Sequence, residues 1–425
     1  MHVLLVGARP ETVQALHRAG HDITLLYEAG EVSRMNNTPE LEGCIARKCA
    51  VDSYRNVESL WSAIDHLKPL PKIDAALTVN EYAVVPTAIL GKQIGAIALD
   101  PAVAMACRDK AIQKTLWTES GIPTGKFLVL PDAAEQREVE KLLDRADLHA
   151  PFVIKPLAAA GSENVSVAES PAEIAAYAEA NPHMRRLLVE EHITAPEWHF
   201  DGIVKDGRIT NLMVSRYVEP LLCTKRGEPA RSVALPPWKN PDLYAEVEEF
   251  TTRALAALSH SVGVFHFEAF GQQGSFIASE LACRPGGSLV GAVAEKTIGV
   301  DLWAAATQLF TNDEPEVREV ESGLVHGWVN LPSIPGIPNM VREEDLTRIN
   351  GVGEVWITPQ GKIMVDMTET TAMGIGYTTV TAYDETECRR VMDAVVATVR
   401  NVHEETAKSA STESQEGTPG NGDSQ

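Results

Sequence analysis

Two apolar runs, Phe267-Glu268-Ala269-Phe270 and Ala278-Ser279-Glu280-Leu281, each carry a single carboxylate, and Gly271-Gln272-Gln273-Gly274 lies between them. A turn at that point makes the runs adjacent antiparallel strands, about Gly263 to Phe270 and Ser275 to Ala282, with both glutamates on one face among aromatic and aliphatic neighbours. Two like charges buried together need a cation. Mg²⁺ takes a few carboxylate oxygens together with phosphate oxygens and water, so the pattern suits a metal–nucleotide site. A hairpin with two outward-facing glutamates is the competing arrangement.

The segment that follows bears on that choice. Arg284-Pro285-Gly286-Gly287-Ser288 runs directly into a helix-like stretch from Leu289 to Thr297. A guanidinium, two glycines and a helix N-terminus together offer an anion a charged fork and free backbone N–H groups, against the bland reading of a glycine turn with a surface arginine. Upstream, Val153-Ile154-Lys155-Pro156 places a lysine at the end of an apolar strand, and Leu157-Ala158-Ala159-Ala160-Gly161-Ser162 follows. A buried lysine is costly unless an anion meets it, and a loop of small residues leaves its backbone accessible to phosphate. No Gly-Lys-Ser or Gly-Lys-Thr occurs, which excludes a P-loop. Leu188-Val189-Glu190-Glu191-His192-Ile193, with Glu197 beyond it, reads as a strand entering a linker, able to offer backbone groups to a base and a carboxylate to ribose hydroxyls; solvated glutamates are the alternative.

The rest of the chain sets the frame. At 425 residues it exceeds one ordinary core, so two or three packed units are expected. The opening alternates Val3 to Val6, a helix-like Glu11 to Ala19, Ile23 to Leu26 and Ala75 to Val79, a βαβ rhythm over roughly residues 1 to 100. Its first turn, Gly7-Ala8-Arg9-Pro10-Glu11-Thr12, has one glycine where a dinucleotide fingerprint needs three. Strand patterns at Phe152 to Lys155, Leu187 to Glu190, Trp198 to Val204 and Ile209 to Tyr217 have antiparallel character, the last two joined at Lys205-Asp206-Gly207. A long helix is expected at about Asp242 to His260. The expected divisions are residues 1–100, 101–190, 191–320 and 321–405, with 406–425, rich in Ser, Thr, Glu and Gly, as a disordered tail.

A net charge of −22 argues against a duplex-binding surface. The six cysteines are scattered and contain no Cys-x-x-Cys pair, which indicates neither zinc nor a disulfide framework. No apolar run reaches membrane-spanning length and no secretion signal opens the sequence, so the cytoplasm is the expected compartment.

In order along the chain, Asp109-Lys110 before Gly121-Ile122-Pro123, Lys155 with its loop, Glu190-Glu191 with Glu197, Glu268, and Glu280-Leu281-Ala282-Cys283-Arg284 resemble the ATP-grasp superfamily over roughly residues 100 to 310. The resemblance implies a mixed α/β and α+β fold: an N-terminal βαβ domain, two ATP-clasping subdomains (101–190 and 191–320) and a C-terminal mixed unit. It implies ATP phosphates on Lys110 and Lys155, covered by Ala159, Ala160, Gly161 and Ser162; adenine against Glu190, Glu191 and Ile193; and ribose on Glu197. It further implies Mg²⁺, usually two ions with Mn²⁺ as a substitute, on Glu268 and Glu280, and Arg284 steadying the transferred phosphoryl or acyl phosphate. Ala282 stands where many members have Asn, which implies one metal ligand fewer.

Lys155-Pro156 with Gly161-Ser162, Glu197-Trp198-His199-Phe200-Asp201-Gly202, His266-Phe267-Glu268 and Arg284-Pro285-Gly286-Gly287 look most like the L-amino-acid ligase and carnosine-synthase-like branch. That implies a ligase joining a small carboxylate, an amino acid, to an amine through an acyl phosphate, with His266, Arg284, Gly286 and Gly287 toward the substrate and a homodimer as the family expectation. His266 also reads as a packed core histidine. Two alternatives stay open: a bicarbonate-activating carboxylase of the same superfamily, and a nucleotide-binding regulatory protein without catalysis.

Overall fold

The computed structural model describes residues 1–31, 39–131, 135–184, 186–320, 323–363 and 374–416. The chain divides into two compact units: Met1–Ala160 with Asn164–Arg216 and Leu235–Glu321, and Gly161–Glu163 with Tyr217–Ala234 and Ser322–Gln425. Among the described residues no helix is long and apolar enough to cross a membrane.

Within the first unit, β1 (His2–Val6) is buried along its whole length, as a central parallel strand covered on both faces must be. It pairs in parallel with β2 (Asp22–Glu28) on one side and β4 (Ala75–Thr78) on the other, and β3 (Arg47–Val51) adds to β2, giving the order β3-β2-β1-β4. Helices Pro10–Arg18 and Val57–His66 make crossovers, and their apolar stripes (Val13, Leu16; Leu60, Ala63, Ile64) close the two faces of the sheet.

A second, antiparallel sheet has the order β5-β8-β6-β7, from β5 (Phe127–Leu130), β6 (Phe152–Pro156), β7 (Ser166–Ala168) and β8 (Leu187–Glu191). Helices Gln136–Ala146 and Pro171–Ala180 cover one face through Val139, Leu143 and Ile174, so Phe152, Ile154, Leu187 and Val189 are buried. Lys155 and Glu190 interrupt this alternation and mark the other face.

The third sheet of this unit runs β13-β12-β9-β10, with β9 (Glu197–Lys205), β10 (Arg208–Tyr217), β12 (Gly263–Gln272) and β13 (Ser275–Ala282) all antiparallel. The β9–β10 hairpin turns at Asp206 and Gly207, both at positive φ (51° and 71°), the backbone hand that matches strand twist. Gly202 is required by close approach: a Cβ there would lie 2.1 Å from the Asn211 carbonyl oxygen. Helix Pro241–Ala257 packs Phe250 onto Phe267 and Phe276, with ring centroids 5.3 and 5.9 Å apart. The exposed edge of β13 is covered by side chains and loop rather than by another strand. Gln113 donates from Nε2 to the Leu281 carbonyl and accepts from the Leu281 N–H at Oε1, each at 2.8 Å, while the Ala278 N–H donates to Pro123 O at 2.7 Å. Gln113 lies on helix Lys110–Glu119, so this clamp seats that helix against the strand bearing Glu280.

The second unit has an antiparallel sheet of β11 (Arg231–Leu235), β14 (Val325–Leu331), β16 (Gly376–Ala382) and β15 (Val352–Ile357) in that order, with helix Glu385–Glu416 against it through Cys388, Val391, Met392 and Val395. Arg231 is held between Glu219 and Asp393 at 2.5 Å each. One difference from the sequence reading appears here. Helix Glu385–Glu416 extends through the first part of the segment read as a disordered tail, and the Thr406 hydroxyl donates to Val402 O at 2.8 Å. Residues 417–425 lie outside the described residues. Of the strands from Phe152 to Tyr217, β8 pairs with β5 and β6 while β9 pairs with β10 and β12, so they belong to two sheets.

Candidate functional site

Register fixes the core of the site. β12 and β13 pair Glu268 opposite Glu280 and His266 opposite Ala282; β12 and β9 pair Glu268 opposite His199 and His266 opposite Asp201. Alternate residues of a strand share a face, so His199, Asp201, His266, Glu268, Glu280 and Ala282 form one grid of three strands by two rows. The two glutamates thus meet side by side, as the hairpin arrangement requires.

Helix Lys110–Glu119 faces that grid. Asp109 caps it, accepting from the Ala111 and Ile112 N–H groups at 2.9 and 3.0 Å. Lys110 and Lys114, one turn apart, point the same way: Lys110 Nζ is 2.8 Å from Glu280 Oε1, and Lys114 Nζ is 3.0 Å from Glu190 Oε2. Lys155 pairs with the other oxygen of Glu190. All of these lysines and Glu190 are buried. Burial would raise the Glu190 carboxyl, but Lys114 and Lys155 outweigh it and bring it down to about 2. Burial also opposes the charge of Glu280, whose carboxyl is nonetheless lowered by Lys110, Lys155 and Arg108. Burial pulls Lys114 down; for Lys155 it is overcome by Glu190, Glu280 and Glu268, and that ammonium is raised.

A second basic group flanks the first. Arg108 donates to the carbonyls of Ala158 (2.8 Å) and Ala159 (2.9 Å), which fastens the start of the small-residue loop, and Lys110 Nζ reaches Ala159 O at 3.4 Å. Ala160 is half-buried; Gly161 and Ser162, both at positive φ (61° and 58°), belong to the other compact unit. Arg284 pairs with Glu81, and Arg108 lies 3.2 Å from the same carboxylate. Burial works against the Arg284 charge, but Glu81 and Glu280 raise its guanidinium above the usual range. Gly286 is buried against the grid: a Cβ there would lie 2.8 Å from His266 Nδ1 and 3.0 Å from Asp201 Oδ1. Gly287 is exposed.

His266 sits between two carboxylates, with Nδ1 2.7 Å from Asp201 Oδ1 and Nε2 3.3 Å from Glu268 Oε1. Burial would lower its ring, yet Asp201 and Glu268 raise it to about 10. His266 is thus a buried histidine, as the core reading has it, with a carboxylate partner at each ring nitrogen. Glu197 is buried, and Glu191 accepts from the Lys126 N–H at 3.2 Å. Ile193 is half-buried beside Gly125, where a Cβ would come within 3.3 Å of its Cδ1. The reading of Glu190 and Glu197 as solvated is excluded by their burial, and the Glu190 carboxylate is engaged by Lys114 and Lys155.

Lys110, Lys155, Glu190, Glu268 and Glu280 come together. Arg284 reaches the same group through Glu81 and through the influence of Glu280. Sequence reasoning did not single out Lys114, Arg108, Glu81 or Asp201 as site residues. The four-residue spacing from Lys110 to Lys114 and the two-residue spacing from His199 to Asp201 were the available signals; Glu81 had none.

Glu268 and Glu280 can hold a divalent cation: they are opposed oxygen donors of the type Mg²⁺ takes, with Lys110 neutralising Glu280 here.

The parallel N-terminal sheet and the antiparallel strands that follow it give the chain the ATP-grasp fold, which it shares with solved structures of low sequence identity. An L-arginine-specific L-amino acid ligase of Bacillus subtilis is 22% identical over 360 residues, covering 82% of this chain and 84% of that protein. The crystal structure of an L-amino acid ligase from Bacillus licheniformis matches with a TM-score of 0.73 at 16% identity, covering 93% of this chain and 97% of that one. A carboxyaminoimidazole ribonucleotide synthase from Aspergillus clavatus, solved with ATP, matches with a TM-score of 0.71 at 15% identity, covering 94% and 98%. No protein-family model matches the chain.

Proposed function

We propose that the chain is an ATP-dependent ligase that activates the carboxylate of an amino acid as an acyl phosphate and transfers the acyl group to an amine, forming a peptide or amide bond and releasing ADP and phosphate. The observation that carries this reading is the convergence of Lys110, Lys114, Lys155 and Arg108 with the opposed carboxylates Glu268 and Glu280. The kinship with L-amino acid ligases supports an amino acid as the carboxylate.

Lys110 and Lys155 bind the phosphates, exchanging Glu280 and Glu190 for phosphate oxygens. Arg108 holds the carbonyls of Ala158 and Ala159 so that the loop they begin covers the nucleotide. The backbone of Glu190, Glu191 and Ile193 meets adenine, and Glu197 the ribose. Glu268 and Glu280 ligate Mg²⁺, two ions by analogy with the superfamily, with Mn²⁺ as a substitute; the metal supplies charge neutralisation on the phosphates. Arg284, with Gly286 and Gly287 behind it, orients the carboxylate.

Attack of a carboxylate oxygen on the γ-phosphorus demands alignment and charge neutralisation more than covalent help, and the converging lysines supply both once phosphate oxygens replace their carboxylate partners. The amine then adds to the acyl carbon and expels phosphate. Water must be kept away from the acyl phosphate meanwhile. A cytoplasmic setting and a homodimer are part of this proposal.

The test is phosphate release from MgATP with pairs of amino acids, followed by mass spectrometry of the product. Release that needs an amino-acid pair and yields a dipeptide mass supports the ligase; release that needs bicarbonate instead, or none with any pair, contradicts it.

A further inference from the structure

Asp201 carries a charge at a fully buried position, and nothing in the proposed chemistry uses it. Its two oxygens are both taken by imidazoles: Oδ2 is 2.5 Å from His199 Nδ1 and Oδ1 is 2.7 Å from His266 Nδ1. The far nitrogen of His266 is 3.3 Å from Glu268 Oε1. A hydrogen-bonded line therefore runs His199–Asp201–His266–Glu268 across two strands whose register opposes Asp201 to His266 and His199 to Glu268.

A carboxylate at Nδ1 fixes both the tautomer and the rotation of an imidazole, and so fixes where Nε2 points. Here it points at one of the two opposed glutamates. The same pair of groups also backs the glycine turn after Arg284, since a Cβ on Gly286 would meet His266 Nδ1 at 2.8 Å and Asp201 Oδ1 at 3.0 Å. Ala282, opposite His266 on β13, contributes no side-chain hydrogen-bonding group to the grid.

We propose that Asp201 is a positioning residue: by locking the His266 ring it sets the direction of the Glu268 carboxylate toward the metal and the seat of Gly286 beside the substrate anion. This rests on the reading of Glu268 as a metal ligand. His199, Asp201 and His266 also have the composition of a transition-metal site, their donor atoms all within 4.8 Å of one another. Hydrogen bonds along the line already engage these donor atoms, which favours the positioning role.

The experiment measures Mn²⁺ affinity by electron paramagnetic resonance on the whole protein saturated with a non-hydrolysable ATP analogue, and ADP affinity by calorimetry in the presence of chelator. Asp201→Asn keeps the shape but sets an amide N–H₂ against one of the two rings. It is expected to weaken Mn²⁺ binding by roughly 10- to 100-fold, the usual loss when a ligand's supporting partner is removed, while metal-free ADP affinity is unchanged. His266→Gln, which keeps a donor within reach of Glu268, is expected to lose less than His266→Ala. Gly286→Ala, which presses on the same ring from a different element, serves if Asp201→Asn does not fold, and is expected to weaken Mn²⁺ in the same way. Wild-type Mn²⁺ affinity in Asp201→Asn, with Glu268→Gln weakened, overturns the positioning role alone. Unchanged affinity in Glu268→Gln and Glu280→Gln overturns the underlying metal assignment and this inference with it. A tightly bound Zn²⁺ in the nucleotide-free wild type that Asp201→Asn abolishes also overturns it, in favour of a separate metal site.

Discussion

Replacing Glu190 with Gln removes a buried carboxylate that meets both Lys114 and Lys155. The carboxyl is brought from its ordinary 4.5 to about 2 in the folded state, against the pull of burial, by those two lysines. At 1.36 kcal/mol per unit this is a contribution of about 3 kcal/mol, in line with the roughly 3–5 kcal/mol typical of breaking a buried ion pair by removing one partner. Because the folded value lies below the unfolded one, the contribution is fully present above the unfolded value near 4.5 and is lost as pH falls toward about 2. Urea titration of the nucleotide-free protein, followed by tryptophan fluorescence to which buried Trp117 contributes, measures it. Glu190→Gln should unfold more easily near neutral pH by about 3 kcal/mol, and the gap to wild type should close across the acid limb. A loss below about 1 kcal/mol, the scale of a solvent-exposed pair, or an acid limb parallel to wild type, would refute the reasoning.

Glu280→Gln removes one metal ligand and should lower kcat by at least about a hundredfold, more than loss of an outer-shell partner does, measured by ADP release at saturating Mg²⁺. Lys155→Ala deletes a charged phosphate contact worth about 1.5–3 kcal/mol; it should raise the KM for ATP and lower the rate, for a loss in kcat/KM of roughly 10- to 150-fold, read in steady-state assays. Gln113→Ala leaves the Leu281 N–H and carbonyl on the β13 edge without partners at a cost of about 1–3 kcal/mol, seen as a lower melting temperature, and its kcat should fall because helix Lys110–Glu119 is no longer clamped to the strand of Glu280.

The hairpin of Glu268 and Glu280 was legible because the two strands are joined by a few residues, so the turn sets the register and the period of two sets the face. Lys155 was legible for a similar reason: a charge ending an apolar strand advertises an anion. Arg284 was legible as a charge, but its partner Glu81 lies 203 residues away and sits in no pattern of its own. Lys114 and Glu190 meet across two elements whose docking no local period encodes, so Glu190 read as a base contact and its pairing with two lysines went unseen. Asp201 lies within the run Glu197 to Gly202, yet its meaning depends on β9 and β12 being neighbours, a pairing of strands separated by the long helix Pro241–Ala257. Ends are harder still: composition places a tail from residue 406 onward, while the final helix runs to Glu416.

Once an amino-acid pair that supports turnover is found, its carboxylate partner can be supplied labelled with ¹⁸O and the released phosphate examined by mass spectrometry. Formation and breakdown of an acyl phosphate moves one carboxylate oxygen into each phosphate released, so the account predicts ¹⁸O-labelled inorganic phosphate with ADP as the nucleotide product. Unlabelled phosphate, or AMP and pyrophosphate in place of ADP and phosphate, would contradict it.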